Sequence, residues 1–337
     1  MERRTFLKST IIASSAIALK VLAESQPFRR VSMKQHAVTF ESAGLKLAGI
    51  LYIPDALPTA ASPAIVVSHP ASGVKEQTAG LYARHLAEQG FITLAFDAAY
   101  NGESAGEPRG LEDPAHRVED IKSAVSFLTT RAEIDPARIG LLGICASGGY
   151  AIPAAATDHR IKAVATVSGV DVGTFFRQGY DGKQSPAVLQ AMLDNAAKAR
   201  TAEARGEGPQ SFPIFPDTEA AARALGQYNY EGWEYYATAR AYHPRSTKRM
   251  PWISVDKMAT FEAFRYIDLI APRPLLAIVG TKADTKWMAE EALPKAGEPK
   301  ELFWIEGASH VDLYDKEQYV TPAVAKMADF YRKNLIG

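Results

Sequence analysis

A compact apolar run, RIGLLGI (Arg138–Ile144), passes directly into CASGG (Cys145–Gly149) and then into residues suited to a helix. A buried strand joined to a helix by so tight a glycine-rich turn restricts the chain to architectures that layer helices on a sheet. It is also the shape of the G-x-S-x-G elbow, in which a strained turn holds a nucleophile clear of the sheet. Two registers fit. If Gly143 is the first glycine, Cys145 takes the nucleophile position and Ser147 replaces the last glycine. If Gly149 is the last glycine, Ser147 is the nucleophile and Cys145 replaces the first.

The rest of the chain extends the same pattern. AVTFESAGLKLAGILYIP (Ala37–Pro54) alternates and turns at Ala43-Gly44, which predicts an antiparallel hairpin. Continuous apolar runs at AIVVSHP (Ala64–Pro70), FITLAFD (Phe91–Asp97), IKAVATVSG (Ile161–Gly169) and PLLAIVG (Pro274–Gly280) read as strands buried on both faces. KELFWIEG (Lys300–Gly307) is a further strand. Helical stretches follow at 77–88, 117–131 and about 322–335. The expected fold is therefore an open, mostly parallel sheet flanked by helices. Residues 171–267 break the rhythm with no convincing buried strand, and read as a helical cap inserted between a first core part (24–170) and a second (268–337). The cap is rich in aromatics, most of them suited to fastening it to the core. Tyr230 and Trp233, three apart on one helical face, are its candidates for a substrate pocket.

Hydrophobic residues make up 47% of the chain and charged residues 23%, with 38 basic against 38 acidic side chains. No global field favours nucleic acid or an anionic membrane. The N-terminus, MERRTFLKSTIIASSAIALKVLA, places Arg3-Arg4 before a short apolar stretch and a small-residue exit. That is the layout of a twin-arginine export signal over 1–23, which predicts a periplasmic or secreted protein without stable membrane insertion after cleavage. A single cysteine allows no internal disulfide. H-E-x-x-H, C-x-x-C and G-x-x-x-x-G-K-[ST] are all missing, so no metal and no cofactor is expected.

Ligands in such a sheet bind past the C-terminal strand ends. The reactive residues there are His69 and Ser72, Asp97, Cys145, Ser168 and Asp171, Asp284, and His310. VVSHPASGVKEQTAG, AFDAAYNGES, GLLGICASGGYA, VGTKADT and EGASHVDLYD together resemble an α/β-hydrolase of the dienelactone-hydrolase-like group, whose relatives include fungal polyketide transferases. The resemblance runs from about Ala37 to the C-terminus.

That resemblance implies a Cys-His-Asp triad of Cys145, His310 and Asp284, acting on an ester, lactone or thioester of a small molecule through an acyl-enzyme. Dienelactone hydrolases are similar in using cysteine at the elbow; Ser147 departs from glycine there but stays small. Ser147 as nucleophile would require the elbow to slip by two residues. Asp171 is the alternative acid, and Asp284 could instead serve as a helix cap. The implied oxyanion donors are the N–H groups of Ala71 and Ala146, with Ser72 as a substitute. A thiol at a helix N-terminus beside histidine is expected to ionise readily. The glutamate that tunes the thiol in dienelactone hydrolases has no equivalent at His69 or Pro70, and Glu76 is the nearest carboxylate. An acyltransferase using the same residues, or a catalytically silent binding protein, are the alternatives; the sequence leaves oligomeric state open.

Overall fold

The computed structural model describes residues 32–57 and 61–337, so the expected export signal at 1–23 lies outside the described residues. The opening hairpin joins β1 (Met33–Ser42) to β2 (Leu45–Pro54) in antiparallel register, with Ser42 opposite Leu45. Ala43 and Gly44 both take positive φ, 46° and 81°, and such two-residue turns match the twist of the strands they join. β3 (Ser62–Ser68) and β4 (Ile92–Phe96) are buried at every residue, as is the second half of β5 (Ile134–Ile144). Helices α1 (Thr78–Glu88), α2 (Pro114–Thr129) and α3 (Ala146–Thr157) alternate with these strands and cover the sheet. β6 (Ile161–Val167) follows.

Between β6 and the next sheet strand lies the cap. Its helices are α4 (Val172–Gln178), α5 (Pro186–Ala204), α6 (Glu219–Ala224), α7 (Gln227–Ala237) and α8 (Ser254–Ala259). It also contains a small antiparallel ribbon, β7 (Ser211–Pro213) with β8 (Arg249–Pro251), which the sequence reading did not anticipate. Strands of three residues carrying proline are too short to display a period-two pattern. The chain then returns through β9 (Leu275–Gly280), α9 (Lys286–Ala292), β10 (Lys300–Ile305), the single turn α10 (Asp312–Asp315) and α11 (Glu317–Tyr331). α2 starts three residues before the expected Arg117, because Asp113 caps it through Ala115 N and Pro114 supplies a preset first residue. α11 likewise starts ahead of Pro322.

The main sheet has eight strands in the order β1-β2-β4-β3-β5-β6-β9-β10. From β4 onward all neighbours run parallel. The C-terminal ends of β3, β5, β6, β9 and β10 therefore share one edge, and the cap sits over it. Arg240 fastens the cap by pairing with Asp315 at 2.5 Å, Gln77 donates to Ala241 O at 2.7 Å, and Thr78 N–H donates to the Tyr235 hydroxyl at 3.0 Å. Among the described residues no helix is long and apolar enough to cross a membrane.

α3 lies so close to the segment after β6 that a Cβ on Gly148 would stand 2.5 Å from Gly169 Cα. Backbone atoms cannot yield as a flexible side chain can. Gly148→Ala is expected to destabilise the fold by about 1–3 kcal/mol, read as a lower urea midpoint at unchanged m-value.

Candidate active site

Cys145 joins β5 to α3 as the residue before the helix, at φ 56°, ψ −119°, a conformation that L-residues seldom adopt. Its N–H donates to Val167 O at 3.0 Å, while its carbonyl accepts from Gly148 N at 2.8 Å and Val170 N at 3.0 Å. A Cβ on Gly143 would lie 2.1 Å from Ser147 O, so the turn closes only over glycine there. Of the two registers, the chain adopts the one with Cys145 at the apex. Ser147 is wholly buried beneath the turn, where its Oγ donates to His69 O at 2.6 Å and accepts from the Arg117 guanidinium at 2.8 Å.

Cys145, Ala146 and Ala71 line a cavity of about 280 Å³ between core and cap. The rest of its wall is mostly apolar or aromatic, including Phe175, Phe212, Ile214, Phe215, Met250 and Met258, with the amides Gln184 and Asn229 as its polar exceptions, and no charged side chain lines it among the described residues. A second cavity of about 330 Å³, lined by Arg177, Glu262, Arg265 and Lys295, does not include Cys145.

His310 follows β10 and is buried. Its Nδ1 lies 2.7 Å from Thr285 Oγ1 and its Nε2 lies 3.1 Å from the Tyr314 hydroxyl. That same hydroxyl lies beside the Cys145 sulfur, where it favours the thiolate. Tyr314 thus stands between the two residues the sequence had paired. Tyr228, also in the cavity wall, presents its ring edge-on to the imidazole at 5.4 Å.

The electrostatics differ from the expected ready ionisation. Burial pushes the Cys145 thiol up to about 11, against the Tyr314 hydroxyl and the Ala146 N–H, which favour the thiolate. Burial alone pushes the His310 imidazole down to about 3. Burial thus favours the neutral thiol and neutral imidazole over an ion pair.

Asp284 is not brought to His310. Its side chain is exposed, with Asp181, Lys183 and Lys286 as its charged neighbours, and Thr285 occupies the place beside Nδ1. Asp171 is committed to capping α4: its carboxylate accepts from Gly173 N, Thr174 N and Ala263 N. Tyr230 and Trp233 do stack on each other at 6.1 Å, but neither lines the Cys145 cavity; Arg223 covers Tyr230 and Trp233 faces a separate cleft. One helical face was the right inference, but the face that meets the cavity is that of Tyr228. Glu76 pairs with Lys75 and Arg245. His69 accepts from Ala98 N through Nε2 at 3.0 Å, bracing the loop that carries Ala71. Tyr314 and Thr285 escaped the sequence reading. Tyr314 stands four residues after His310, a spacing that could have pointed to it; Thr285 gave no comparable signal.

The dienelactone hydrolase family profile matches residues 47–204. The uncharacterized protein YcjY of Escherichia coli strain K12 is 37% identical over 310 residues, 90% of this chain and 100% of the relative. The crystal structure of hypothetical protein PA2218 from Pseudomonas aeruginosa matches with a TM-score of 0.85 at 35% identity, covering 93% of this chain and 97% of that one. Thiohydrolase aneE of Aspergillus aculeatus is 30% identical over 280 residues, 79% of this chain and 83% of the relative.

A thiol titrating near 11 has a thiolate fraction that grows about tenfold per pH unit through neutrality. Alkylation of Cys145, the chain's single cysteine, by iodoacetamide should therefore rise steadily from pH 7 to pH 10 with no plateau near 7, as followed by intact mass.

Proposed function

Since this chain belongs to the dienelactone hydrolase family of α/β hydrolases, we propose that it cleaves thioester or ester bonds to uncharged, apolar acyl groups, with Cys145 as nucleophile and His310 as base. The observation that carries this reading is a cysteine on a strained elbow, opening on a mostly apolar cavity without charged side chains among the described residues. An acyl chain in that cavity would leave its carbonyl carbon beside the Cys145 sulfur. The N–H of Ala146, already directed at that sulfur, and the N–H of Ala71 across the cavity are the donors for the developing oxyanion. Attack yields a thioester acyl-enzyme, and water activated by His310 releases the acid. Similarity to a protein named as a thiohydrolase supports a thioester as the bond broken. A substrate bearing a carboxylate in its acyl part would bury that charge without a partner, which is strongly unfavourable. The paired arginines and apolar stretch at 1–23 support export, so the enzyme is assigned to the periplasm or the exterior.

Each methylene that enters the cavity gains up to about 0.8 kcal/mol, which is about fourfold in kcat/KM. Across p-nitrophenyl esters, kcat/KM should climb from acetyl to hexanoyl and fall at palmitoyl, and a succinyl ester should be a poor substrate. Cys145→Ala should abolish turnover and the acylated species seen by mass spectrometry; an acylated Cys145→Ala protein would remove the thiol from the mechanism.

Orientation of the imidazole is assigned to Thr285. Thr285→Val should lower kcat by about tenfold or more, whereas Asp284→Asn should change it by less than about threefold. The reverse ranking in steady-state kinetics would return the acid role to Asp284.

A further inference from the structure

We propose that the Tyr314 hydroxyl is a catalytic group that carries the proton between Cys145 and His310. The inference rests on Cys145 being the nucleophile and goes beyond it, because a cysteine–histidine pair in direct contact would have no use for an intervening hydroxyl. Here the hydroxyl lies 3.1 Å from Nε2 on one side and beside the Cys145 sulfur on the other, where it favours the thiolate.

Its position is held from several directions. Tyr314 is buried at 3% exposure, and its ring packs edge-to-face on Tyr235 at 5.1 Å. Its N–H donates to Val311 O at 3.0 Å. The adjacent Leu313 carbonyl accepts from the Tyr82 hydroxyl at 2.7 Å, which ties α10 to α1. A hydroxyl so fixed cannot swing away as a mobile loop residue could.

In the arrangement ready to react, Cys145 S–H donates to the tyrosine oxygen, Tyr314 O–H donates to Nε2, and Nδ1–H donates to Thr285 Oγ1. As the sulfur bonds to the acyl carbon, the carbonyl π pair moves to oxygen. The thiol proton passes to the tyrosine oxygen while the tyrosine's own proton passes to Nε2, leaving an imidazolium and a neutral phenol. On collapse of the tetrahedral intermediate the same path runs in reverse. The imidazolium returns its proton through Tyr314 to the departing sulfur or oxygen, which leaves neutral. No further reactant is needed, and no isolated thiolate has to exist in the apolar cavity.

The test uses the full protein with p-nitrophenyl hexanoate. Tyr314→Phe keeps the ring and removes the hydroxyl; it should lower kcat by about a hundredfold with KM within about twofold, and slow iodoacetamide alkylation of Cys145 across the pH range. A proton inventory in mixed light and heavy water should be curved for the wild type, from two protons in flight, and linear for the variant. Because Tyr314→Phe could weaken folding, 3,5-difluorotyrosine at position 314 serves as the second variant. It retains the packing while acidifying the phenol, and should shift the pH–rate profile to lower pH. A Tyr314→Phe enzyme within twofold of wild type in kcat and alkylation overturns the proposal. So does an unshifted profile with difluorotyrosine, or a rate loss that leaves the proton inventory curved. If the wild-type enzyme is never acylated on Cys145, the nucleophile assignment itself fails; if it is acylated and Tyr314→Phe matches it, only the relay fails.

Discussion

A cysteine at φ 56° stays there only if the chain on either side has no room to relax. Conformations of this kind cost about 1–3 kcal/mol, and here the surrounding contacts hold the turn closed. The Cys145 carbonyl is gripped by two N–H groups, from Gly148 in its own helix and from Val170 after the neighbouring strand. Gly143 and Gly148 remove the Cβ atoms that would force the turn open against Ser147 O and Gly169 Cα. The direction of the sulfur, the placement of the Ala146 N–H beside it and the close approach of α3 to β6 all follow from that one dihedral. The strain sits at the one residue whose side chain must reach out of the sheet.

Below the turn lies a buried polar floor. Arg117 donates to His69 O and to Ser147 Oγ, and its Nε lies 3.4 Å from Glu112, whose Oε1 accepts from the Tyr150 hydroxyl at 2.8 Å. Ser147 in turn donates to His69 O, two residues before Ala71. This explains the departure from glycine at the elbow. The serine links the turn carrying the nucleophile to the loop carrying the second oxyanion donor, so the two halves of the site are held at one spacing. Deleting one member would leave a buried charge or donor unpaired, which is costlier than never having had it.

The strands of the core were legible because burial on both faces writes continuous apolar runs such as AIVV and GLLGI, and the hairpin was legible because Ala43-Gly44 interrupts a clean alternation. The elbow was legible as a shape, while its register depended on which side chain the closed turn could tolerate. What escaped was orientation. VGTKADT marks the loop after β9, but whether Asp284 or Thr285 turns toward the histidine depends on how that loop and the adjoining Trp287 seat against Tyr180 and Asp181, residues far from it in sequence. Tyr230 and Trp233 were rightly placed on one face of a helix. Which face meets the cavity is decided by Phe215 and Tyr180 packing on Tyr228, again a matter of tertiary contact.

The lack of a charged side chain lining the Cys145 cavity among the described residues bears on how such a site can work. In many thiol enzymes a carboxylate or a helix terminus makes the thiolate beforehand. Here burial opposes both the thiolate and the imidazolium, and Thr285 offers the histidine a neutral acceptor in place of an anion. An apolar substrate gains most from a dry wall, and a dry wall penalises any standing ion pair. The two demands are reconciled if charge appears only while the carbonyl is being attacked, at points where fixed N–H and O–H groups already wait. Preorganised dipoles of that kind act most strongly where the dielectric is low, so the burial that suppresses the resting ion pair also strengthens the groups that stabilise the transient one.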